Sequence, residues 1–130
     1  MAQFRFCYFT LEYEKTLAFY RDGLGLPLVD SWDRSPDDRG SLFAAASGLI
    51  EVIVRPTGPS SHLWDERPPQ GASMVIEVPD VDAVHRRALD RGLPVTQAPT
   101  NQSWGHRSFC VREPNGLTIY FFSELSGHFA

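Results

Sequence analysis

Apolar and polar positions along this chain alternate with two different periods, and the switches between them mark out its elements. Arg5 to Leu11 is an apolar, aromatic run that reads as a strand. From Glu12 to Asp22, Tyr13, Leu17 and Tyr20 recur at helical spacing. Gly23 and Gly25 then offer the left-handed residue that ends a helix at little cost. Leu26 to Val29 predicts a strand, and Gly40 to Ala46 and Leu49 to Arg55 predict two more around a Ser47-Gly48 turn. Asp33 to Gly40 is polar throughout and reads as a turn or a mobile loop.

The second half replays this order. Ser73 to Val78 is a strand, Asp80 is a suitable N-cap, and Val81, Val84, Ala88 and Leu89 mark a helical face that stops at Gly92. Ser108 to Val111 and Thr118 to Phe122 read as strands on either side of Pro114-Asn115-Gly116, which supplies the fixed φ and the positive φ of a tight turn. Gly92-Leu93-Pro94-Val95 echoes Gly25-Leu26-Pro27-Leu28, and Gly116-Leu117 echoes Gly48-Leu49 at nearly the same offset. The plan is βαβββ twice: an α+β chain of one domain (1–130), with modules 1–56 and 72–126 joined by a loop over 57–71. That loop carries three prolines, Gly58 and Gly71, yet also His62, Leu63 and Trp64, which a bare spacer would not need.

Composition narrows the function classes. At 42% apolar and 22% charged residues, the chain can bury a core without staples. The net charge of −4 argues against a nucleic-acid backbone as partner, which would call for a basic face. No window is long and apolar enough to span a bilayer, and Cys7 and Cys110 both fall in apolar strands. The expectation is a soluble, cytoplasmic protein with reduced thiols and neither a nucleic-acid nor a membrane partner. No nucleophile elbow, Walker loop, Cys-x-x-Cys or His-Glu-x-x-His occurs.

Three stretches carry a family resemblance: Leu17-Ala18-Phe19-Tyr20-Arg21-Asp22-Gly23-Leu24-Gly25-Leu26, then Val78-Pro79-Asp80-Val81-Asp82-Ala83, then Glu113-Pro114-Asn115-Gly116 with the strand after it. In this order, over nearly the whole chain, they resemble the vicinal oxygen chelate superfamily of glyoxalase I, extradiol dioxygenases and bleomycin-type resistance proteins. The resemblance implies that each module curls into a half-open cup of mixed sheet, and that two cups enclose a cavity, often across a homodimer. The many aromatics and Phe129 near the carboxyl end are consistent with such a dimer. Metal-dependent members place ligands on the first and last strands of each module. Here the first strand offers Arg5, Phe6 or Cys7, the fifth Ser73 and the last Tyr120, so only Glu51 supplies a carboxylate. Aligning Gly48 with Gly116 instead matches Val52 to Tyr120 and turns Glu51 to the other face, which leaves its direction open. Neither a metal nor another cofactor is expected from that set.

Trp104-Gly105-His106-Arg107-Ser108-Phe109 looks like a stretch common in the antibiotic-binding branch. The candidate ligand-binding residues are Trp32, Glu51, Trp64, Trp104, His106, Arg107 and Tyr120. Trp104 can stack on a planar or cationic ligand. Arg107 is either a ligand contact or an ion-pair brace, and Trp64 either lines the site or pins the linker to the core. Glu51, if inward, is a counter-charge for a cation. The leading expectation is a non-enzymatic binding protein for an aromatic or cationic, antibiotic-like molecule. The alternative is a glyoxalase-like lyase, isomerase or dioxygenase, metal-dependent or metal-free, with altered site residues.

Overall fold

The computed structural model describes residues 2–59, 61–65, 67 and 69–125; Phe129 and His128 lie outside the described residues. Module one runs β1 (Arg5–Thr10), α1 (Tyr13–Ala18) widening into a π turn (Phe19–Gly23), β2 (Leu28–Ser35), β3 (Asp38–Ala45) and β4 (Gly48–Val54). Module two runs β5 (Ser73–Glu77), α2 (Val81–Asp90), β6 (Val95–Asn101), β7 (His106–Arg112) and β8 (Thr118–Glu124). The sheets have matching orders, β1-β4-β3-β2 and β5-β8-β7-β6, each with one parallel pair at the edge strand that opens the module. They remain two open mixed sheets, not one continuous sheet.

The stretch 33–40 corrects the reading of a polar loop. Polar residues there belong to a hairpin: β2 continues to Ser35 and β3 begins at Asp38, leaving a two-residue turn at Pro36-Asp37. Both strands are exposed enough at this end to carry charge, and Arg34 pairs with Asp38 at 3.2 Å. Gly40 is required by sterics here, because a Cβ would come within 2.2 Å of the Trp32 ring across the strand pair.

Each helix covers one face of its own sheet. α1 ends in the wider turn, with Leu24 N–H donating to Phe19 O, and this turns Phe19, Tyr20, Gly23 and Leu24 all inward. Asp80 caps α2 by accepting from the Ala83 N–H at 3.1 Å, as its sequence position predicts. Val81 and Ala88 are buried, whereas Leu89, expected on the same face, is exposed. The core lies between helices and sheets and is continuous through both modules, from Tyr8, Tyr20, Phe43 and Val52 to Phe109, Val111, Ile119 and Phe121.

Polar contacts also join the modules. Arg87 on α2 donates to Gly23 O and Asp22 O, both at 3.0 Å, and so satisfies carbonyls left over at the end of the first helix. Gly25 takes φ +70 beneath it, where a Cβ would meet the same guanidinium at 2.7 Å. The buried Glu113 carboxylate accepts from the Tyr8 hydroxyl, the Asn115 and Leu117 backbone N–H groups and Asn115 Nδ2. The Glu113 carboxylate is therefore an internal hub, at the foot of a turn whose tip, Gly116, stays exposed.

Candidate functional site

Burying one face of each sheet under a helix leaves the other face open, and strand parity decides which side chains appear there. Val52 is fully buried, so its neighbour Glu51 points to the open face, opposite Cys7 in the parallel pair. In module two, Phe109 and Phe121 stack in the core with ring centroids 5.3 Å apart, and Cys110 and Tyr120 therefore project oppositely. Val75, beside Tyr120 on this face, is 61% exposed.

Three of the predicted residues converge on the open face of module two. Tyr120 Oη receives the Trp104 indole N–H at 3.0 Å and lies 3.1 Å from His106 Nδ1. The imidazole stacks on Phe122 with centroids 3.9 Å apart and planes 16° apart, while its Nε2 stands 3.6 Å from Glu124 Oε1. A turn positions Trp104: Gly105 N–H donates to Gln102 O, Gly105 adopts φ +91, and Leu125 N–H closes onto Gly105 O. Trp104 remains 54% exposed, so this aromatic wall presents an uncovered indole face.

Trp32 and Glu51 meet on the other sheet. They line a depression of about 450 Å³ together with Arg39, Ile53 and Pro56. Arg34 lies over the Trp32 ring at 5.9 Å, and Arg5 pairs with Glu51 at 3.2 Å. Burial first, and then the Glu51 carboxylate, push the Cys7 thiol up to about 11, so it stays protonated at neutral pH and is a poor nucleophile.

Arg107 is placed apart from these two walls, whereas Trp64 borders the Trp32–Glu51 one, lining a shallow depression with Cys7 and Phe9 on the open face of β1. Trp64 packs edge-on against Phe9 at 6.2 Å, and Arg55 holds the linker there through Asp65 O and Trp64 O, which is the pinning geometry. Arg107 faces α2, donating to both Asp82 oxygens at 3.0 Å and to Asn101 Oδ1. That contact braces the helix, and it holds the Asp82 carboxyl below the usual carboxylate range. Phe122, Glu124 and Arg5 belong to the walls although they were not among the candidate binding residues. Alternation from Tyr120 along β8 already puts Phe122 on its face and extends to Glu124.

The donor set does not fit a metal. On the open faces the strand centres that would carry ligands hold Cys7, Glu51, Ser73, Val75 and Tyr120. The one carboxylate is already paired, the thiol stays protonated, and no group of three His, Cys, Asp or Glu converges among the described residues. A further depression of about 640 Å³ lies between the helix ends and the Glu113 turn, away from every predicted site residue.

A family described as the Glyoxalase/Bleomycin resistance protein/Dioxygenase superfamily matches residues 3–121. Among solved structures, a superfamily member from Sphaerobacter thermophilus DSM 20745 superposes with TM-score 0.75 at 19% identity, over 95% of this chain and 98% of that one. TnmS3, an antibiotic binding protein from Streptomyces sp. CB03234, gives 0.71 at 23% identity, over 95% and 96%. TioX from Micromonospora sp. ML1 gives 0.76 at 16% identity, over 96% and 100%. No functionally curated protein matches the chain. No helix among the described residues is long and apolar enough to cross a membrane.

Proposed function

Because this chain belongs to the glyoxalase/bleomycin resistance protein/dioxygenase superfamily, we propose that it is a non-enzymatic binding protein for a planar, aromatic small molecule of antibiotic type. The observation that carries this reading is the Trp104–Tyr120–His106–Phe122 wall. Its ring systems are fixed by hydrogen bonds and stacking before any ligand arrives, and an indole face is left exposed. A preordered aromatic face stacks on a planar ligand without first losing side-chain freedom. The structural likeness to TnmS3 supports the same class.

The Trp32–Glu51 depression supplies the second wall, where a cationic substituent would take the place of Arg5 on the Glu51 carboxylate. In a single chain the linker covers only the Phe9 end of the open face of module one and that of module two stays open, and a second copy would pair the wall of one protomer with the depression of its partner. A homodimer in the cytoplasm, where Cys7 and Cys110 stay as free thiols, is part of the proposal.

Calorimetric titration with a panel of planar polycyclic antibiotics tests it. At least one is expected to bind with one site per chain, and Trp104→Ala to weaken it about tenfold or more. Failure of every panel member, or equal binding by the variant, overturns the reading.

A further inference from the structure

Hydrogen-bond accounting at Tyr120 goes one step further than the presence of an aromatic wall, and it rests on the binding reading above. The indole N–H of Trp104 can only donate, so Tyr120 Oη accepts at 3.0 Å. The Glu124 carboxylate lies 3.6 Å from His106 Nε2, too far for a hydrogen bond but near enough to favour a proton on that nitrogen. In neutral His106 the lone pair is then on Nδ1, which must accept, and the Tyr120 O–H donates to it over 3.1 Å. The hydroxyl hydrogen is thus committed, one acceptor direction is filled, and what remains to a ligand is one acceptor direction.

We infer that Tyr120, positioned by His106 and Trp104, is a specificity determinant that selects aromatic ligands bearing a hydrogen-bond donor, such as a phenolic hydroxyl or an amine, over otherwise equal ligands carrying only acceptors. His106 is the positioning residue, because it fixes which way the tyrosine hydroxyl points.

The test compares 2-naphthol with 2-methoxynaphthalene, which differ in the single O–H donor, by following the Trp104 indole signal in NMR titrations at about pH 8. 2-Naphthol is expected to bind about fivefold more tightly. The ratio should collapse toward one in Tyr120→Phe and in His106→Phe, whose ring cannot accept the tyrosine hydrogen. Equal affinities in the wild type overturn the inference while leaving the aromatic wall intact. So does a preference that survives in Tyr120→Phe, which would mark the methyl group as merely too large. A preference unchanged in His106→Phe removes the role given to His106. Absence of binding by both probes, together with failure of the antibiotic panel, overturns the inference and the binding reading together.

Discussion

Tyr8 and Glu113, 105 residues apart in sequence, meet in the interior at 2.8 Å, the tyrosine O–H donating to carboxylate Oε2. Tyr20 in turn donates to Tyr8 at 2.8 Å, and the Glu113 carboxylate also collects two backbone N–H groups of its own turn. Burial above all, with Tyr20 and Glu113 alongside, pushes the Tyr8 phenol far above its ordinary range, so it remains a donor at every pH the fold survives. The first strand of one module and the closing turn of the other are thereby held in a fixed relation.

Removal of that hub should be costly. Glu113→Ala leaves the Tyr8 hydroxyl and the N–H groups of Asn115 and Leu117 without acceptors, and a loss of about 3 kcal/mol or more is expected in urea unfolding. Glu113→Gln keeps the shape but turns donors toward donors, for a loss of about 1–2 kcal/mol. A Glu113→Ala protein within about 0.5 kcal/mol of the wild type would mean the turn does not depend on its carboxylate.

Gly40→Ala should displace the Trp32 ring, whose nearest atom lies 2.2 Å from the position of the added methyl. Overpacking of this kind costs about 1–3 kcal/mol. The fluorescence of Trp32 should change with it, and any ligand held over the Trp32–Glu51 depression should bind more weakly. Unchanged binding, measured by calorimetry, would show that the depression is not used.

The Arg107–Asp82 pair carries a pH signature with a definite sign. Hydrogen bonding to Arg107 lowers the folded Asp82 pKa below its ordinary 3.8. Its stabilising contribution is therefore present above 3.8 and is lost as pH falls through the lower folded value. The melting temperature of Asp82→Asn should lie below that of the wild type at neutral pH, and the two curves should converge in this acid window. A gap that persists below it would indicate loss of packing, not of the charged pair.

The module plan was legible because period and punctuation agree in it: Gly23–Gly25 and Gly92 end the helices, Asp80 caps α2, and Pro114-Asn115-Gly116 makes its turn. The 33–40 hairpin was not, since a two-stranded ribbon with one exposed face needs no apolar alternation, and its polar residues imitate a loop. At the candidate site, Trp104, His106 and Tyr120 were singled out by residue type. What brings them together, however, is cross-strand register, with His106 beside Glu124 and Cys110 beside Tyr120, and one slip of pairing would have separated them. The direction of Glu51 was open for the same reason and is settled by the buried Val52 next to it. Glu113 escaped notice altogether, because a carboxylate before a Pro-Asn-Gly turn looks like surface, and only the tertiary approach of Tyr8 makes it internal.

The three tryptophans give three indole N–H signals, and they report separately on the aromatic wall, the depression and the pinned linker. Titrating the tightest-binding polycyclic antibiotic into ¹⁵N-labelled protein and following those signals in variants assigned by Trp→Phe substitution is therefore the most direct measurement. Saturable shifts of Trp104 and Trp32, with Trp64 nearly still, are predicted. Binding that leaves Trp104 and Trp32 unmoved would place the ligand elsewhere and contradict the open sheet faces as its site.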